Sequence, residues 1–225
     1  MAKEDTNLKL SHLYKGNVSE VYGRWPSPDL IVSDGAYGVR GFRGDTVDAA
    51  GLTDWYKPHV LAWAKAAKPS TSLWFWNTEV GWATVHPLLL STGWEYVQLA
   101  VWDKGLAHIA GNVNGKTIRQ LPVVTEVAAL YRRTVYLETG DGLTLNAKSW
   151  LRAEWRRSGL SLSKSNEACG VKNAATRKYL TADWLWYWPP GDAVQKMAEY
   201  CMQYGKKTSW PYFSLDGKTM ISAHD

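Results

Sequence analysis

The chain contains no apolar run approaching the length of a membrane span, and its first residues, Met1-Ala2-Lys3-Glu4-Asp5, carry no secretory pattern. It has two cysteines, Cys169 and Cys201, with neither metal-ligand spacing nor disulfide density. A thiolate metal centre and a stapled extracellular scaffold are therefore set aside, and buried, reduced thiols in a cytoplasmic protein are expected. No charge sign dominates: 26 Lys and Arg oppose 21 Asp and Glu, a formal net charge of +5 that is compatible with a polyanion partner without requiring one. What the chain has in excess is tryptophan, 14 in 225 residues. Such side chains can stack on bases, but their general usage is in cores and interfaces.

The length suits one full domain or a domain with an appendage, and 45% hydrophobic with 21% charged residues is ordinary globular composition. One stretch organises the reading: Asp29-Leu30-Ile31-Val32-Ser33-Asp34-Gly35-Ala36-Tyr37-Gly38. Its short apolar run lacks polar alternation and predicts a buried strand of a parallel sheet. The acid, small residues and aromatic that follow fall at the strand's carboxyl end, where open α/β sheets bind ligands. A carboxylate and an aromatic there can hydrogen-bond and stack a flat polar molecule; an ordinary Asp/Gly turn would use the same residues. Beyond Gly38, glycines 41 and 44 alternate with Arg40 and Arg43, a pattern that suits phosphate contact and a solvated loop equally.

Upstream, a short strand near Leu10 to Leu13 and a helical turn near Val18 to Tyr22 are expected. Downstream, Leu52 to Ala67 has helical apolar spacing and ends before Pro69, and Ser72 to Asn77 reads as a strand. Thr84 to Thr92 reads as a helix interrupted at Pro87, and Tyr96 to Trp102 and Glu126 to Tyr136 as strands. This alternation predicts a parallel α/β sheet.

Composition changes over Glu138 to Leu145, so residues 1–138 are assigned to an α/β portion and residues 139–225 to a mostly helical, basic region. There, Lys148 to Ser158, Ser163 to Cys169 and Asn173 to Leu180 predict successive helices, and Asp192 to Tyr204 another. The short helix, Gly170 and the basic helix after it outline a helix-turn-helix unit whose reading helix would carry Lys172, Asn173, Thr176, Arg177 and Lys178. A plain helical hairpin with a solvated basic face has the same outline. Trp184 to Pro190 reads as an edge strand or a wedge packed on these helices.

Asp34-Gly35-Ala36-Tyr37 resembles the Asp-Pro-Pro-Tyr motif of DNA amino-methyltransferases, and the context resembles that family in order. A helix ending Lys68-Pro69 precedes an aromatic strand to Trp76, a strand ends Trp102-Asp103-Lys104, and Glu126 precedes the apolar Val127-Ala128-Ala129-Leu130. The resemblance is to the catalytic and target-recognition parts of the permuted β class, over roughly residues 8 to 215. It implies an incomplete Rossmann-like sheet, transfer of a methyl group from S-adenosylmethionine to adenine N6 (less so cytosine N4), and duplex DNA as partner. It implies that Asp34 and the backbone carbonyl of Gly35 accept both amino hydrogens of a flipped base, within the loop Asp34, Gly35, Ala36 and Tyr37, and that Tyr37 stacks on that base. Arg40 and Arg43 would lie near the DNA backbone.

Two departures qualify it. Gly35-Ala36 replaces Pro-Pro, which keeps the carbonyl but loosens the loop. No Phe-x-Gly-x-Gly turn for the methyl donor is present, and the family would place that half after about residue 220, so a second polypeptide is expected to supply it. The alternatives are a catalytically inactive DNA-binding remnant and an unrelated α/β protein with a Trp-rich interaction surface.

Overall fold

The computed structural model describes residues 13–39, 45, 48–105 and 124–224. The expected strand start at Leu10, Arg40, Arg43 and the glycines beside them lie outside the described residues. The chain divides into two compact units, Met1–Arg133 and Thr134–Asp225, and the α/β class expected from sequence is observed. Among the described residues no helix is long and apolar enough to cross a membrane.

The first unit contains β1 (Leu30–Asp34), α1 (Leu52–Ala66), β2 (Ser72–Asn77), α2 (Glu79–Ser91), β3 (Trp94–Asp103) and β4 (Thr125–Arg133). The four strands form one sheet in the order β1-β2-β4-β3. The sheet is mixed, not the parallel sheet expected. Helical crossovers make β1, β2 and β3 run the same way, but β4 follows β3 without a helix between them among the described residues. It returns antiparallel and enters the space between β2 and β3. A parallel neighbour would have needed a crossover connection there.

Helix α2 begins earlier than its apolar pattern suggests because the Thr78 hydroxyl caps it, accepting from Gly81 N at 3.1 Å. Pro87 lies inside the helix and does not end it. One face of the sheet packs on the helices: Leu73, Phe75, Ala129 and Tyr131 meet Leu52, Tyr56, Val60, Val85 and Leu89, all buried. Pleating sends alternate residues to the other face. There the strand expected to be buried on both sides is not: Leu30 is 53% and Val32 63% exposed, and Trp102 across the sheet is half exposed. Burial in β1 alternates, and the strand lies at the sheet edge.

The second unit opens with the hairpin β5 (Tyr136–Glu138) and β6 (Thr144–Asn146), followed by α3 (Ala147–Arg157), α4 (Lys164–Cys169) and α5 (Gly191–Tyr204). Its core gathers Trp150, Trp155, Leu180, Met197, Cys201, Tyr212 and Phe213. The carboxylate of Glu154, wholly buried, organises it. Glu154 pairs with Arg157 at 2.6 Å and accepts from Gly140 N at 3.0 Å and Phe213 N at 2.8 Å. Phe213 has a φ of 57°, a left-handed conformation rare for a bulky residue, and its amide bond to Glu154 helps hold it there. Arg157 reaches on to the carbonyls of Trp210 and Pro211 and lies over the Tyr212 ring.

Removing one partner of a buried ion pair strands the other. Glu154→Ala is therefore expected to lower stability by about 3–5 kcal/mol, and Glu154→Gln, which keeps an acceptor, by less. Denaturant unfolding checks this; a wild-type midpoint for the alanine variant would contradict it.

Candidate active site

The segments that carried the family resemblance are far apart in sequence and meet at one end of the sheet. Asp34 ends β1, Trp76 lies near the end of β2, Lys104 follows β3 and Glu126 lies near the start of β4. Because β4 is antiparallel, its first residues reach the same end as the last residues of its neighbours. Register confirms the meeting: Asp34 is opposite Trp76, Trp76 opposite Ala128, and Trp102 opposite Glu126.

Glu126 is the node. Its Oε2 accepts from the Trp76 indole at 2.6 Å, its Oε1 from the Lys104 ammonium at 2.8 Å, and the Tyr37 hydroxyl lies 3.3 Å from Oε2. Tyr37 donates its shorter bond, 2.7 Å, to Asp34 Oδ1. Burial works to raise the Glu126 carboxyl, but the bonds from Lys104 and Trp76 and the Lys104 charge outweigh it and hold it below its ordinary value. Burial, reinforced by the neighbouring Asp34 and Glu126, pushes the Tyr37 phenol far above its usual value, so it remains a proton donor. Trp102 meets Trp76 edge to face at 5.5 Å and closes the aromatic side of the cluster.

The Asp34–Tyr37 loop is positioned from beneath. The Ala36 carbonyl accepts from the Asn77 amide at 2.9 Å and from the Tyr56 hydroxyl at 3.0 Å. Among the described residues no loop or side-chain donor bonds the Gly35 carbonyl, and Asp34 is exposed. Gly35 has a steric role as well: a Cβ there would lie 2.8 Å from the Tyr56 hydroxyl, the group that anchors the next residue. Gly38, with φ of 72°, would place a Cβ 2.7 Å from the backbone of Ala49. That glycine lets two backbone segments close on one another, and is not the open ligand cradle its sequence context allowed. Asp45 completes the turn by accepting from Gly38 N at 2.7 Å and Val39 N at 3.1 Å.

Beside Asp34 lies a cleft of about 180 Å³, lined by Tyr22, Trp25, Ser33, Gly35, Trp55 and His59 among others. Tyr22 bonds His59 Nδ1 at 2.8 Å, and burial lowers the imidazole's proton affinity, which keeps it neutral. Sites for drug-sized ligands occupy roughly 300–1,000 Å³. The cleft is smaller, its only acid is Asp34, and no glycine turn opens into it. This cleft by itself does not fit a whole S-adenosylmethionine. No cluster of metal-ligating side chains is present among the described residues.

In the second unit Lys172, Asn173, Arg177 and Lys178 are exposed. The expected reading helix is instead a single π-helical turn, Ala175–Tyr179, after a left-handed Gly170. Thr176 does not face outward with the others. It is half-buried, its amide donating to Asn166 Oδ1 at 3.2 Å and its hydroxyl accepting from Asn166 Nδ2 at 3.1 Å. A short polar residue next to a capped turn gave no sequence signal for that inward bond. Glu126, Lys104 and Trp76 were visible as motif positions, but their meeting at Glu126, which Tyr37 also bonds, depends on the antiparallel entry of β4. Asn77 and Tyr56 carried no sequence signal at all.

Two measurements follow. A Cβ on Gly81 would lie 1.8 Å from Asn77 Oδ1, so Gly81→Ala must displace the residue that holds Ala36. The expected loss is about 1–3 kcal/mol, typical of overpacking; an unchanged thermal midpoint would contradict it. Because the folded Glu126 carboxyl lies below its ordinary value of 4.5, its stabilisation is present above that pH and is lost as pH falls through the folded value. Glu126→Gln should flatten the dependence of the thermal midpoint on pH below about 4.5.

No family model and no curated protein matches the chain. Among solved structures it is similar to the complex of M1.HpyAVI with SAM over 54% of this chain and 54% of that one, at 15% identity and a TM-score of 0.34. It is also similar to TTHA0409 of Thermus thermophilus, described as a putative DNA modification methylase. The crystals of its selenomethionine derivative match over 70% of this chain and 62% of that one, at 14% identity and a TM-score of 0.38. Its complex with S-adenosyl-L-methionine matches over 70% and 65%, at 13% identity and a TM-score of 0.38. The chain thus spans less than two thirds of the length of each of these structures.

Proposed function

We propose that this chain is the base-receiving and DNA-recognition part of a DNA amino-methyltransferase acting on adenine N6, or less favourably cytosine N4, in a restriction-modification setting. The observation that carries the reading is the pairing of two acceptors at the end of β1, the Asp34 carboxylate and the Gly35 carbonyl, to which no described loop or side-chain donor bonds, beside an aromatic phenol. An exocyclic amino group has two hydrogens, and accepting both draws its nitrogen lone pair out of the ring and makes it a nucleophile. Ala36 cannot serve as the second acceptor, because Asn77 and Tyr56 already donate to its carbonyl.

Tyr37 donates to the Asp34 oxygen that the amino group needs. An incoming base displaces that bond, and the hydroxyl turns to Glu126 Oε2, the nearby alternative acceptor. Glu126 is held ready by Trp76 and Lys104, so the exchange does not leave a buried donor unsatisfied. The Tyr37 ring then flanks the base.

S-adenosylmethionine, the methyl source in this reading, is held by a second polypeptide. The small cleft beside Asp34 supports that division, and so do the edge position of β1 and the exposed Leu30 and Val32, which offer a strand edge and an apolar face to a partner sheet. The basic Lys172, Asn173, Arg177 and Lys178 turn contributes DNA contacts, together with Arg40 and Arg43.

The test is methyl transfer to duplex DNA by the chain mixed with candidate neighbouring gene products. Activity is expected only in the mixture and is expected to vanish with Asp34→Ala; methylation surviving that substitution would refute the assignment. Calorimetry should find S-adenosylmethionine bound by the mixture and not by this chain alone.

A further inference from the structure

The segment from Thr181 to Trp188 presents an aromatic surface that neither unit's core absorbs. Its sequence suggested a strand or a wedge packed inward, and Trp186 is indeed tied down, its indole donating to the Tyr179 carbonyl at 3.0 Å. Trp184 points the other way and is 88% exposed, and Tyr187 is 63% exposed. Most large aromatics find burial or a partner surface, so an indole left this bare marks a contact site.

The exposure is built in by the surrounding bonds. Lys148 Nζ donates to the Asp183 carbonyl at 2.6 Å, and Asp183 Oδ1 accepts from Leu185 N at 2.8 Å. Tyr187 N donates to the Lys178 carbonyl at 2.9 Å, and the Arg152 guanidinium bonds the Leu180 carbonyl. The loop is therefore pinned to α3 on one side and to the basic turn on the other, with Trp184 between the two anchorages. The same bonds bring cations to the aromatics. Lys178 Nζ lies 5.6 Å from the Tyr187 ring centroid, and Arg177 is exposed on the turn that carries it. The acid in the loop, Asp183, already caps a backbone amide.

Exposed aromatic rings on a loop that Lys148 bonds at Asp183 and that Lys178 meets at Tyr187 match a flat ring attached to phosphates. A fully paired duplex offers only base edges and backbone, whereas an indole face needs a base face, which is accessible where pairing is broken. We infer that Trp184, on the loop whose Tyr187 ring Lys178 meets, is a stacking site for an unpaired base in DNA. The choice of DNA rests on the methyltransferase reading above, in which extruding one base leaves its partner unpaired; the stacking site itself rests on the second unit alone.

Fluorescence anisotropy of the full chain, without cofactor or partner, tests it with labelled oligonucleotides: a paired duplex, the same duplex with one base opposite an abasic site, and a single-stranded RNA. The wild type is expected to prefer the gapped duplex. Trp184→Ala should weaken that complex roughly 5- to 150-fold, the span of base–aromatic stacking, change the paired duplex little, and unfold at the wild-type temperature. Trp184→Phe should recover most of the loss. Lys178→Gln should weaken all DNA probes and reduce their salt dependence, a distinct signature of phosphate contact. Equal binding by wild type and Trp184→Ala, an equal loss on paired and gapped duplex, or no binding to any probe at low salt overturns the stacking site. RNA bound more tightly than the gapped duplex overturns its assignment to DNA. Failure of the methyltransferase reading shows separately, as absent methyl transfer with the gapped-duplex preference intact.

Discussion

One carboxylate sets the geometry of the candidate site. Glu126 draws together an indole from β2, an ammonium from the end of β3 and a phenol from the loop after β1. These groups are separated by as many as 89 positions in the chain, so the ordering they need is supplied by the sheet and not by local structure. A half-buried carboxylate with several donors is also well compensated: burial opposes its charge, and the donors more than offset that opposition. The second unit repeats the theme with Glu154, fully buried, where Arg157 and two backbone amides meet.

The consequence for function is a division of labour among neighbouring atoms. Two adjacent carbonyls in the loop differ: that of Ala36 is fixed by Asn77 and Tyr56, whereas among the described residues no loop or side-chain donor bonds that of Gly35. Glycine at position 35 is compatible with both, since the missing Cβ is what lets Tyr56 approach. The loop thereby regains from side-chain anchors some of the rigidity that a Pro-Pro sequence would have had by itself. In the proposed reading, a loop held in place before a base arrives is the condition for the site to favour the reacting geometry.

Much of the fold was legible from periodicity. The helices over Leu52–Ala66 and Ala147–Arg157 and the strand Ser72–Asn77 follow their apolar patterns closely. What periodicity misjudged had identifiable causes. The cap at Thr78 started α2 early, and β4 pairs antiparallel with both β2 and β3 where a parallel neighbour was expected. The apolar residues of β1 were read as doubly buried, yet Leu30 and Val32 are on an exposed face. Hydrophobicity reports that a side chain prefers burial; it does not report whether this chain supplies the cover. The tryptophans divide the same way: Trp94, Trp150 and Trp155 fill cores, as general usage favours, while Trp184 does not.

By itself the sequence determined which residues could do acceptor chemistry, Asp34 with the following carbonyl and Tyr37, and that they end a strand, since backbone propensity and turn chemistry are local. Only the tertiary structure decided which carbonyl is open, which way Thr176 and Trp184 face, and that Glu126, Lys104 and Trp76 belong with Tyr37. Those are decisions about which polar groups satisfy one another across the sheet, and the pairing of distant donors and acceptors follows from strand order and register, which a linear pattern of residues does not encode one residue at a time.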